Sequence, residues 1–188
     1  MCGDIDTSRQ CNELRWVRLN LNHRWPYRDE CFDYVICTEG VEHLENPWHL
    51  IREAKRVLKV GGKLFLSTPN ILSIKSRLSG LLYGFPNYFH YMIERDSRSP
   101  QELSVDHINP IGFLELRHIL ARNGFFIERI TPNRYQKKYS LWYRLIKVFI
   151  YTRGLSATRD LAKGEVRRQL LSDEILFGEL LIIVAKKL

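Results

Sequence analysis

Apolar and polar positions alternate in character along the chain. Leu14–Leu19 (LRWVRL) reads as a short strand. Phe32–Thr38 (FDYVICT) is almost continuously apolar between polar turns, which suits a strand buried on both faces. Asn46-Pro47 supplies an N-cap and a proline for a first helical turn. Beyond it, Leu50, Ile51, Ala54, Val57 and Leu58 recur on one helical face, and Gly61-Gly62 marks the predicted helix end. Lys63–Ser67 (KLFLS) is the next strand, closed by Thr68-Pro69-Asn70. Strand, helix and strand joined by short links predict a parallel crossover with helices on the sheet faces. Loops at the C-terminal ends of such strands form the ligand crevice. Here those loops are Thr38–Glu45 and Thr68–Ile71.

Further on, Ile71–Tyr83 is predicted helical and residues 84–109 a long loop. Pro110–Asn123 predicts a helix ending at Gly124, and Phe125–Thr131 and Gly178–Lys186 two more strands. Between those strands, residues 132–176 are expected to be a helical, basic insert within one domain spanning 1–188. The chain has 188 residues, with 45% hydrophobic and 27% charged side chains, an ordinary globular composition. Repeats, low-complexity tracts, a signal-peptide pattern and an apolar run of membrane-spanning length are all lacking. Four cysteines (Cys2, Cys11, Cys31, Cys37) lack paired zinc spacing, so free thiols in a reducing cytoplasm are expected.

The net charge is +8. Residues 131–170 hold ten basic side chains against Asp160 and Glu165, so this one window carries the whole surplus. Within it, Leu141–Tyr151 is apolar except for Arg144 and Lys147, which share a helical face. Three readings stay open for 139–151: an interfacial helix on anionic lipid, a helix packed over a substrate site, or a weaker nucleic-acid surface without a recognised motif.

Residues 32–70 (FDYVICTEGVEHLENPWHLIREAKRVLKVGGKLFLSTPN) resemble the central stretch of class I S-adenosylmethionine-dependent methyltransferases. HINPIGFLELRHILARNGFFIERI is similar to that family's last helix and sixth strand, and GELLIIVAKKL to its closing antiparallel strand. The resemblance implies an α/β, Rossmann-like fold: a mostly parallel sheet with a final antiparallel strand. It also implies S-adenosylmethionine as cofactor and methyl transfer to a small-molecule or lipid-like acceptor, O-methylation being favoured. The rival reading is a non-catalytic or truncated module of the same fold that binds no cofactor, and a third is a peripheral membrane protein for which that fold is only a scaffold.

The same resemblance assigns site residues. Asp4, with Asp6 second, stands where an acidic residue holds the cofactor ribose, and Asn20-Leu21-Asn22 where the adenine edge is read, Asn20 and Leu21 being the residues assigned to it. The backbone of Thr38-Glu39 flanks the methionine part. The family's first strand and Gly-x-Gly loop should precede Asp4, but no Gly-x-Gly occurs, so the domain is expected to be incomplete at its start. Glu39, Glu42 and His43 form E-x-x-E-H, which on a helical turn would share a face and suit Mg²⁺. That spacing is similar to the metal pattern of quinone-biosynthesis O-methyltransferases; an acidic helix start is the plainer alternative. His107, in DHINP, faces the acceptor side by the resemblance and, with His43, is a candidate proton acceptor. Tyr83, Phe85, Tyr88, Phe89 and Tyr91 are read equally as pocket wall, core or oligomer contact.

Overall fold

The computed structural model describes residues 2–4, 16–89, 107–136, 140–155 and 161–188. Strands β1 (Cys2–Asp4) and β2 (Trp16–Arg18) form a parallel pair. Strands β3 (Phe32–Thr38), β4 (Leu58–Pro69), β5 (Phe125–Pro132) and β6 (Leu180–Lys187) form a second sheet in the order β3-β4-β6-β5. β3 and β4 are parallel, whereas β6 runs antiparallel to both β4 and β5. The expected parallel crossover and closing antiparallel strand are therefore both present.

Helix α1 (Pro47–Val57) makes the crossover. It starts where the sequence predicts: the Asn46 side-chain oxygen accepts the His49 N–H at 3.1 Å, and Pro47 supplies a pre-set φ in the first turn. It ends differently. Leu58 is already extended, and β4 begins there. Gly61-Gly62 lie inside the strand and do not cap the helix. Two steps along β3, Phe32 to Tyr34, face five along β4, Leu58 to Lys63. Gly61 has φ +79°, and a Cβ on Gly62 would sit 2.9 Å from the Lys59 carbonyl oxygen. The glycines thus permit a bulge that only a bare backbone can make.

One sheet face builds the core. Val35, Leu64, Ala185 and Ile127 lie in one cross-strand row, and Cys37, Leu66, Ile183 and Ile130 in the next. Leu50, Ile51, Ala54 and Val57 of α1 pack here, with Phe113, Leu116, Ile119 and Leu120 of α3 (Phe113–Arg122). α3 begins at Phe113, three residues later than expected, because Gly112 is its N-cap.

The other face corrects an expectation. Tyr34 and Ile36 are 62% and 68% exposed, so β3 is not buried on both sides. Among the described residues β3 pairs with β4 alone, and its outward row continues through Phe65 and Val184. A continuous apolar run does not distinguish a central strand from one at the rim of its sheet.

Helix α2 (Ile74–Tyr83) is capped by Ser73, whose hydroxyl accepts the Ser76 N–H, and ends at Gly84 with φ +82°. Between β5 and β6 come α4 (Leu141–Leu155), α5 (Leu161–Leu170) and α6 (Asp173–Phe177). Tyr143, Ile146 and Ile150 of α4 pack with Leu78 of α2 against Ile74, Leu176 and Phe177, a small second core. Asn70 fastens β4 to this group: its amide donates to the carbonyls of Ile175 and Gly178 at 2.8 and 2.9 Å.

Candidate active site

The parallel strands β3 and β4 end side by side, and the turns that follow them meet. Glu39 leaves β3 with φ +49°, an uncommon conformation for a residue with a side chain. Ser67 of β4 holds it there. The Glu39 N–H donates to Ser67 Oγ at 3.0 Å, and that hydroxyl donates to Glu39 Oε1 at 3.0 Å. Gly40 follows. A Cβ on it would fall 2.8 Å from Cys37 Sγ and 3.8 Å from Leu21 Cδ1. The turn after β3 therefore presents bare backbone, and Leu21 sits against it. Two segments that the sequence assigns to cofactor binding, Asn20-Leu21 and Thr38-Glu39, are brought together. Cys37 beneath them is inert at neutral pH, since burial pushes its thiol up to about 12.

Asn20 is a turn former. Its Oδ1 accepts the Asn22 N–H at 3.0 Å, and its carbonyl accepts the His23 N–H at 3.1 Å. Its neighbour differs: Asn22 Oδ1 is buried with no hydrogen-bond partner among the described residues. A buried amide acceptor left without a donor is costly, and only the side-chain directions of this turn reveal it. Asp4 ends β1 in register with Arg18 of β2. Asp6 lies outside the described residues.

Beyond Gly40, Val41–His43 form a single 3₁₀ turn. Here the predicted metal set changes. Glu39 lies outside the turn, its left-handed backbone sending the carboxylate to Ser67, so it shares no helical face with Glu42 and His43. Among the described residues the ligand-type atoms lying within 4.8 Å of one another belong to Glu42, His43 and His107. The rings of His43 and His107 meet edge to face, with centroids 4.7 Å apart. Mg²⁺ requires mostly oxygen donors, and one carboxylate with two imidazoles does not fit it.

His107 is fixed from two sides. Its Nδ1 lies 3.0 Å from the Tyr88 carbonyl. A carbonyl only accepts, so Nδ1 carries the proton and Nε2 is the basic nitrogen. Asn109 joins this loop to the 3₁₀ turn, its N–H donating to the Glu42 carbonyl at 2.9 Å and its amide to that of Leu44 at 3.2 Å. Phe89, fully buried, packs against His107 with centroids 5.3 Å apart. The aromatic group around it divides: Phe89 is core, Tyr88 reaches Glu179, and Tyr83 and Phe85 line a cleft on α2. Tyr91 lies outside the described residues.

Glu42 is completely buried, and neither of its carboxyl oxygens has a hydrogen-bond partner among the described residues. Burial raises its pKa to about 7, and the nearby Glu39 charge adds to the rise. A carboxyl that exchanges its proton near neutrality beside two imidazoles can hold or pass a proton.

Residues 4–66 match the family model described as a methyltransferase domain. Over 39 residues the chain is 56% identical to the ubiquinone biosynthesis O-methyltransferase of Xanthomonas oryzae pv. oryzae, covering 21% of this chain and 16% of that protein. The mitochondrial ubiquinone biosynthesis O-methyltransferase of Rattus norvegicus is 30% identical over 115 residues, 61% of this chain and 30% of that one. This chain thus spans less than a third of the length of these relatives. A crystal structure of a SAM-dependent methyltransferase from Archaeoglobus fulgidus superimposes with a TM-score of 0.57 at 19% identity, covering 98% of this chain and 74% of that one. The β3-α1-β4 crossover, the closing antiparallel strand and these likenesses define a Rossmann-like methyltransferase fold. Residues 4–66 carry the signature of a methyltransferase domain, and the fold is similar to that of class I S-adenosylmethionine-dependent methyltransferases.

Proposed function

We propose that this protein transfers a methyl group from S-adenosylmethionine to a hydroxyl oxygen of a small or lipid-like acceptor. The observation that carries the reading is the convergence, at the ends of β3 and β4, of a bare-backbone turn at Gly40 with the Glu42, His43 and His107 cluster. One feature fits the cofactor: the buried, partnerless Asn22 Oδ1 on the turn that lies against Gly40.

The cofactor supplies a methyl group already activated on a sulfonium. The protein's part is alignment and proton removal. Asp4 accepts from the ribose hydroxyls. Asn22, rather than Asn20, accepts from the adenine amino group, since the Asn20 oxygen is engaged within its own turn. The Gly40 backbone lies along the methionine part. His107, its ring set by the Tyr88 carbonyl, takes the acceptor's hydroxyl proton on Nε2, with Glu42 and His43 alongside. O-methylation is the activity carried by the names of the ubiquinone-biosynthesis relatives, which supports an oxygen acceptor. No step passes through a metal.

A calorimetric titration with S-adenosylhomocysteine tests the reading. Saturable binding is expected, accompanied by a rise in melting temperature. Asn22→Ala weakens it about fivefold, the equivalent of one hydrogen bond, whereas Asn20→Ala leaves the affinity within twofold. Absence of binding would favour the non-catalytic module.

A further inference from the structure

We propose that α4, together with the exposed end of α2, seats this protein on an anionic lipid surface. α4 is apolar on two sides. Tyr143, Ile146 and Ile150 face inward to the second core. Leu141, Trp142, Leu145 and Val148 point outward, and Trp142 is 74% exposed. These four recur at helical spacing, so they make a stripe along the solvent side. Leu81 and Leu82 of α2 are 80% and 68% exposed. The two helices adjoin: Tyr143 shares with Leu82 and Tyr83 the wall of a cleft of about 370 Å³. Exposed apolar side chains gathered on neighbouring helices in this way mark an interaction site.

Charge selects the occupant. α2 and α4 contain Lys75, Arg77, Arg144, Lys147 and Arg153 and no acidic residue. Lys147 is bound by Asp173, and Arg77 turns its Nε to the Leu72 carbonyl at 2.7 Å. Lys75 and Arg144 therefore supply the positive charge beside the stripe. Apolar and aromatic side chains with basic neighbours, on two helices that themselves carry no carboxylate, match the headgroup boundary of an acidic bilayer. α4 lies in that plane and does not cross it. It has 15 residues against the roughly 20 that a span requires, and no helix among the described residues is long and apolar enough to cross a membrane. The proposal is independent of catalysis and is tested without cofactor.

The full chain is sedimented with extruded vesicles of phosphatidylcholine alone or of phosphatidylcholine with phosphatidylglycerol. The wild type is expected to pellet with the acidic vesicles and to be released by salt. Trp142→Ser/Leu145→Ser alters two outward side chains and should weaken binding at least about tenfold, with unchanged circular dichroism. Lys75→Glu/Arg144→Glu should abolish the preference for phosphatidylglycerol. Tyr34→Ser/Ile36→Ser, on an exposed apolar part of β3, should bind as the wild type does. The proposal falls if the wild type stays in the supernatant with acidic vesicles at low salt, or if the Trp142/Leu145 variant pellets equally well. It falls also if light scattering shows a dimer which that variant dissociates, without vesicle binding; the stripe would then belong to a second copy of the chain.

Discussion

His43 and His107 meet edge to face, their ring centroids 4.7 Å apart, although they come from loops far separated along the chain. The Asn109 N–H bond to the Glu42 carbonyl fixes that meeting. His107→Ala should lower methyl transfer by about 10²–10⁴, the range for losing a positioned base. S-adenosylhomocysteine affinity should stay unchanged, because the proposed function puts the ring on the acceptor side. A single-turnover assay beside calorimetry separates the two effects, and equal losses in both would contradict the assignment.

Glu42 gives a pH signature of definite sign. Its pKa is raised in the fold to about 7, so the protonated form is favoured there. Stability is fully present below the unfolded carboxyl pKa of about 4.3, falls as the pH rises towards 7, and is flat above. Glu42→Gln removes that decline. The variant should be more stable than the wild type by about 2–3 kcal/mol in mild alkali, and equal to it near pH 4, roughly. Urea denaturation across this range is the measurement. The same variant should transfer methyl groups more slowly.

Arg56 and Glu53, one turn apart on α1, clamp the chain before β3. Arg56 Nη2 meets Glu53 Oε2 at 2.7 Å, and Nη1 meets Asp29 Oδ1 and the Tyr27 carbonyl, each at 2.7 Å. Glu53 Oε2 also accepts the Trp25 N–H at 2.8 Å. Arg56→Met should cost about 2–3 kcal/mol in denaturant unfolding, and Arg56→Lys should recover little of it, lacking the planar fork. The Arg56 hydrogen bond holds the Glu53 carboxyl below its usual range. Its contribution is therefore present above the ordinary glutamate pKa and lost as the pH falls through the folded value. Glu53→Gln should flatten that acid limb.

Asn70 donates to two buried carbonyls and accepts the Leu72 N–H at 3.1 Å. Asn70→Ala should cost about 2–4 kcal/mol in thermal or chemical unfolding. Asn70→Asp keeps the acceptor but cannot donate, so it should be no better.

The β3-α1-β4 unit was legible because its signals are local: the Asn46-Pro47 start and the apolar face of α1 need no distant partner. Gly61-Gly62 misled because two glycines serve a helix stop and a strand bulge alike, and the choice depends on the register with Phe32 and Tyr34. The exposure of Tyr34 and Ile36 depends on the position of β3 in its sheet, which a single run of residues does not encode. At the site, His43 and His107 were each visible as candidates, but their meeting is set by tertiary structure. Glu39 was assigned to a helical face that its left-handed backbone excludes. The partnerless Asn22 oxygen has no sequence signature that separates it from Asn20.

β6 comes last among the strands, yet it lies inside the sheet, flanked by β4 and β5. While residues 180–187 are still within the ribosome, β4 and β5 have no ladder between them. A nascent chain at that stage presents two bare backbone rims, prone to wrong pairing until synthesis delivers the strand that joins them.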